Sequence, residues 1–152
     1  MTQITRKIEF DAGHRVLGHE SKCANLHGHR YVAEITVSAK KLDSISRVVD
    51  FSVIKSEVGL WIDEHWDHNM ILNAEDPLVK VHPHSLESPA HHTRRLCGRD
   101  PYIMPDGMNP TAECMAEVLF NQAIEILSPH KDLVVVGVRL YETPNCWADY
   151  SK

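Results

Sequence analysis

Two stretches near the start of the chain, ITRKIEFDAGH and HGHRYVAEITVSA, alternate apolar and polar residues with a period of two. That period belongs to a half-buried strand and not to a helix. In the first stretch Ile4, Ile8, Phe10, Ala12 and His14 share one parity, while Thr5, Lys7, Glu9 and Asp11 take the other. In the second, His27, His29, Tyr31, Ala33, Ile35 and Val37 lie on one face. Arg30, Glu34, Thr36 and Ser38 lie on the opposite face, with Val32 the apolar exception. Both strands therefore carry their histidines on the apolar face.

The remaining elements can be read from spacing. Asp50 is placed to cap a helix from about Phe51 to His65, in which Phe51, Ile54, Val58, Trp61, Ile62 and His65 recur at three- and four-residue steps. MNPTAECMAEVLFNQAIEILSP is a second helix, with Pro110 tolerated at its start. Its buried stripe is Ala112, Met115, Ala116, Leu119, Phe120, Ala123 and Leu127. DLVVVGVRLYET is a third strand, whose row Val134, Val136, Val138 and Leu140 ends in Glu142, and CWADYS makes a short fourth after the turn at Pro144 and Asn145. The order strand, strand, helix, helix, strand, strand predicts one α+β domain over residues 1–152, an antiparallel sheet with both helices on one face. Residues 74–108 read as a long irregular connection.

Composition removes several function classes. With 152 residues and 43% hydrophobic content the chain can bury a core without staples. A formal net charge of -5 disfavours nucleic acid as the main partner. Cys23, Cys97, Cys114 and Cys146 are scattered, which points to free thiols in a reducing compartment. No apolar run is long enough to span a bilayer and MTQITRKIEF has no signal-peptide core, so a cytoplasmic location and no membrane partner are expected. The anomaly is eleven histidines.

Residues i and i+2 of a strand project to the same side, so His27 and His29 can chelate one ion without backbone distortion. His14 ends the neighbouring strand in apolar phase, and three imidazoles with an open position have the composition of a catalytic zinc site. Packed, hydrogen-bonded histidines at a sheet end are the alternative. Cys23 is four positions before His27 and admits three readings: a fourth ligand, a thiol activated by nearby positive charge, or a small buried hydrophobe. Asp67 adjoins His68 and can orient it as a proton-transfer dyad. Glu142 breaks an apolar row and can bind the amidine-like edge of a heterocycle as it would an arginine. His82 and His84 form a second H-x-H, interrupted by Pro83, which reads as a loop before a metal site; His91 and His92 share that polar stretch. Arg94, Arg95 and Arg99 are either triphosphate contacts or a solvated basic stretch.

FDAGHRV, CANLHGHRY, VVDF, WDHNMIL, NPTAE and YET occur in an order that resembles the 6-pyruvoyl-tetrahydropterin synthase superfamily, over nearly the whole chain except residues 74–108. The resemblance implies the tunnelling fold: a four-stranded antiparallel sheet with two helices on one face, oligomerising into a β-barrel, with a hexamer built as a dimer of trimers. It implies one Zn2+ per subunit on His14, His27 and His29. Cys23 would transfer protons rather than bind metal, with Asp67 and His68 as a relay that a neighbouring chain contributes. Glu142 would anchor a pterin ring and share in the relay, and Thr111 would line the pterin pocket. The C-x-x-x-H-G-H spacing is similar to the bacterial 6-carboxy-5,6,7,8-tetrahydropterin synthases of the queuosine and 7-deazaguanine pathway.

That branch implies a lyase acting on 7,8-dihydroneopterin triphosphate and releasing acetaldehyde and triphosphate. Simple triphosphate elimination to 6-pyruvoyl-tetrahydropterin is the alternative. A non-catalytic module, its zinc closed by one cysteine and three histidines, is a rival from another class, and a zinc hydrolase on the same three histidines is a further one.

Overall fold

The computed structural model describes residues 2–80 and 100–152. Strand β1 (Gln3–His14) and strand β2 (His27–Ala39) form an antiparallel hairpin in continuous register from Gln3↔Ser38 to His14↔His27. The helical segment that follows comprises α1 (Phe51–Ile54), a π-helical turn (Lys55–Gly59) and α2 (Leu60–His65). Then come β3 (Asn69–Leu72), α3 (Pro77–Lys80), β4 (Tyr102–Ile103), α4 (Ala112–Leu127), β5 (Leu133–Thr143) and β6 (Cys146–Tyr150).

The sheet has six strands in the order β4-β3-β1-β2-β5-β6, which corrects the expected four. The antiparallel unit β1-β2-β5-β6 is present as anticipated, but β3 and β4 extend it in parallel beyond β1. Both additions are short: β3 meets β1 only at Ala12, Gly13 and His14, and β4 meets β3 at Tyr102 and Ile103. Such short runs carry little periodicity. The described parts of residues 74–108 therefore include a helical turn and a strand as well as irregular chain.

One sheet face is apolar. Ile8, Phe10, Ala12 and His14 of β1 and Tyr31, Ala33, Ile35 and Val37 of β2 are buried, and they pack with Ile54, Val58, Ile62, Trp66, Met115, Leu119 and Phe120 from the helical side. Each large aliphatic or aromatic side chain removed from water here contributes about 1.5–3 kcal/mol. Asp50 caps α1, its carboxylate accepting from the Ser52 N–H, as its position suggested. The expected stripe changes at the π turn. Ile54, Val58, Ile62 and Trp66 follow four-residue steps to the core, whereas Phe51 stays 49% exposed.

A bulge also changes the Glu142 row. Thr36 pairs with Gly137 but Val37 with Val135, so Val136 is the extra residue and the face of β5 inverts there. Val138 and Leu140 are buried, while Val134 is 43% exposed and Leu133 and Val135 pack on the core in its place. Among the described residues no helix is long and apolar enough to cross a membrane.

Candidate functional site

The hairpin end and the start of α4 build the centre. His14 and His27 are cross-strand partners, and Ala12 pairs with His29. Gly13 faces Gly28 between them. A Cβ on Gly28 would lie 2.9 Å from the Ala12 carbonyl oxygen, so glycine between the two histidines is what allows β1 and β2 to approach this closely.

The ring nitrogens of His14, His27 and His29 converge, with one candidate ligand atom from each lying within 4.8 Å of the others. The Nδ1 atoms of His14 and His27 lie 2.7 Å from the Pro110 and Asn25 carbonyl oxygens respectively. A carbonyl only accepts, so both Nδ1 atoms carry the proton, and each ring in its neutral form presents Nε2 as a lone pair. Those two Nε2 atoms are 3.1 Å apart, and the buried Nε2 of His29 has no protein partner. Tetrahedral zinc with bonds of 2.0–2.1 Å sets its nitrogen ligands about 3.3 Å apart. Facing lone pairs at this separation repel unless a cation lies between them, so the donor set fits zinc.

Burial disfavours the charged form of two of the rings, His14 and His29. Burial pushes the His14 pKa down to about 4, against the Pro110 hydrogen bond that raises it and with help from His27 and His29. Burial also lowers His29, opposed by the charge of Glu142. Glu142 Oε1 lies 3.6 Å from His14 Nε2, at the rim of the cluster. Tyr31, fully buried among these rings, has an unpartnered hydroxyl and a pKa raised first by burial and then by the Glu142 charge.

Cys23 sits in a 3-10 turn (Lys22–Ala24), where its carbonyl accepts from Val16 N–H at 2.8 Å. Its thiol is free and half-buried, and the metal-type cluster consists of the three imidazoles without it. Asp67 and His68 pair with each other at 2.7 Å, from Nδ1 to Oδ2. The other carboxylate oxygen of Asp67 accepts from Asp11 N–H at 2.9 Å, and His68 N–H donates to Asp11 O at 2.6 Å. The dyad is thus fastened to the β1 edge at Asp11, whose side chain takes the parity opposite His14. His68 itself has a φ of 52°, unusual for a residue other than glycine, and a side chain 77% exposed. Thr111 caps α4, its Oγ1 accepting from Cys114 N–H at 3.3 Å. Cys114 and Cys146 are free thiols, and neither belongs to the imidazole cluster. His82, His84, His91, His92, Arg94, Arg95, Cys97 and Arg99 lie outside the described residues.

Sequence reading did not find the Asn25 and Pro110 carbonyls or the buried Tyr31 hydroxyl. Pro110 falls within NPTAE, but no side-chain pattern announces the direction of a carbonyl.

Known proteins resemble this chain over nearly its whole length. A protein of Rickettsia bellii named 6-carboxy-5,6,7,8-tetrahydropterin synthase is 44% identical over 149 residues, 98% of this chain and 99% of that protein. A protein of the same name from Haemophilus influenzae is 29% identical over 155 residues, covering 100% of both chains. Among solved structures, a protein of Wolinella succinogenes superposes with a TM-score of 0.76 at 23% identity, covering 99% of this chain and 98% of that one. The Caenorhabditis elegans 6-pyruvoyl tetrahydropterin synthase superposes with a TM-score of 0.65 at 21% identity, covering 99% and 95%. The family model described as 6-pyruvoyl tetrahydropterin synthase matches residues 3–152, so that hairpin, histidines and capped helix all fall within it, and the chain belongs to that family.

Proposed function

We propose that this chain is a zinc-dependent lyase that converts 7,8-dihydroneopterin triphosphate to 6-carboxy-5,6,7,8-tetrahydropterin, acetaldehyde and triphosphate in queuosine and 7-deazaguanine synthesis. One observation carries the reading: three imidazoles bring their ring nitrogens together beside Glu142, in a chain 44% identical to a protein named for that product.

His14, His27 and His29 would hold one Zn2+ per subunit, and the bound ion supplies Lewis acidity toward the hydroxyl groups of the substrate side chain. Glu142 accepts paired hydrogen bonds from the amidine-like edge of the pterin, and Thr111 lines the same pocket. Cys23 takes and returns protons at the substrate side chain. Asp67 accepts the Nδ1 proton of His68 and so leaves Nε2 as the second proton-transfer atom. Triphosphate leaves by elimination. One water molecule then adds to the side-chain carbonyl next to the ring, so that a retro-aldol-type cleavage releases acetaldehyde and leaves the water oxygen in the 6-carboxyl group.

The position of the dyad on the β1 edge, with Asp11 directed away from the His14 face, favours a relay that serves the neighbouring subunit of a homo-oligomer. A barrel-forming hexamer, a dimer of trimers, is the assembly this reading expects. Free thiols at Cys23, Cys114 and Cys146 support a reducing compartment, the cytoplasm.

Incubating the purified protein with 7,8-dihydroneopterin triphosphate and identifying the products by mass spectrometry tests the reading. Acetaldehyde with the 6-carboxy product is expected. The 6-pyruvoyl product, favoured by the family description, would move the chain to the elimination reaction. A zinc-loaded protein that turns over neither would support the closed, non-catalytic zinc module.

A further inference from the structure

The Pro110 carbonyl that receives the His14 Nδ1 proton belongs to a loop rather than to the sheet, so something must hold it in place. The Asn109 side chain meets both backbone polar groups of Leu17: Leu17 N–H donates to Oδ1 at 3.0 Å, and Nδ2 donates to Leu17 O at 3.0 Å. This is the two-bond pattern of a strand pair, made by one side chain across 92 residues of sequence. On the other side of Pro110, Thr111 N–H donates to Asn109 O at 2.8 Å and Thr111 caps α4. The segment that Asn109 grips also begins at His14, and its Val16 N–H binds the Cys23 carbonyl at 2.8 Å.

We propose that Asn109 is a positioning residue: by clamping Leu17 it aims the Pro110 carbonyl at His14 Nδ1, presents Nε2 to the metal, and holds the segment on which the Cys23 turn rests. The metal part of this inference rests on the zinc reading above. The same two segments carry other ties, Asn73 Nδ2 donating to Gly107 O at 2.6 Å and the Arg15–Asp76 pair. Neither tie uses the Asn109 side chain, so Asn73→Ala supplies a control for a general loosening of the loop.

The experiment compares full-length Asn109→Ala, Asn109→Asp and Asn73→Ala with the unaltered protein. The readouts are zinc affinity by chelator competition, solvent exchange of the His14 Nδ1 proton by 15N-edited NMR, and Tm. Loss of a partner supporting a ligand histidine weakens metal binding about 10–100-fold. Asn109→Ala is expected to show at least tenfold weaker zinc binding and a rapidly exchanging Nδ1 proton. Asn73→Ala should lower Tm and change neither. Should Asn109→Ala fail to fold, Asn109→Asp decides, because its carboxylate faces the Leu17 carbonyl and opens the clamp. Unchanged zinc affinity and proton exchange in the folded Asn109 variant would overturn the proposal, as would an Asn73→Ala variant that matches it in both. The Nδ1 signal is read with or without metal, so a protein that binds no zinc counts against the zinc reading and leaves this test standing.

Discussion

His14 Nε2 lies 3.1 Å from His27 Nε2, with the Nδ1 proton of each ring held by a backbone carbonyl. Two lone pairs facing one another inside a protein make a poor structural contact and a good half of a cation site. The third imidazole, with its buried and unpartnered Nε2, completes it.

His29→Ala removes that third nitrogen and leaves an incomplete site. The variant is expected to purify with most of its zinc gone, as measured by metal analysis. Full occupancy at unchanged affinity would exclude His29 as a ligand.

Cys23 is outside the imidazole cluster, so Cys23→Ala should retain zinc and the fold. Its turnover should drop about a hundredfold or more, the usual contribution of an acid-base group. Zinc loss would return Cys23 to the ligand set, and full activity would remove it from the mechanism.

The dyad's anchor at Asp11 leads to a test of shared sites. Cys23→Ala and His68→Ala, each inactive alone, should regain activity when unfolded together and reassembled. Random mixing at a repeated heterologous interface gives about one quarter of sites with both groups intact. No recovery, once mass spectrometry has verified hybrids, would mean that each chain holds a complete site.

Asp76 is fully buried against Arg15, with bonds of 2.6 and 2.5 Å, and the Arg15 hydrogen bonds hold its carboxyl below the ordinary 3.8. A depressed carboxylate adds stability that is complete above its unfolded pKa and is lost as pH falls through the folded value. Asp76→Asn should therefore cost about 2 kcal/mol near pH 7, the scale for hydrogen bonds to a charged group, because the Arg15 left behind is partly exposed. Its deficit should shrink once the pH drops below about 4. Urea melts of both proteins at neutral and acidic pH check this, and a deficit constant across that range would refute it.

Elements governed by near neighbours were legible in the chain. The alternation in β1 and β2 sets which side chains share a face, and with it the inward placement of His14, His27 and His29. The apolar stripe of α4 and its start after Pro110 follow from helical period and backbone chemistry in the same way. What tertiary structure alone decided involves partners far apart in sequence. The bulge at Val136 inverts β5, and only the pairing of β2 with β5 brings Glu142 to the rim of the histidine cluster. β3 is a strand because β1 offers it an edge, and β4 because β3 does, their own runs being too short to declare it. The Pro110 carbonyl reaches His14 across 96 residues. Side-chain parity is a local property of a strand, whereas the direction of a loop carbonyl is set by what the folded chain packs around it.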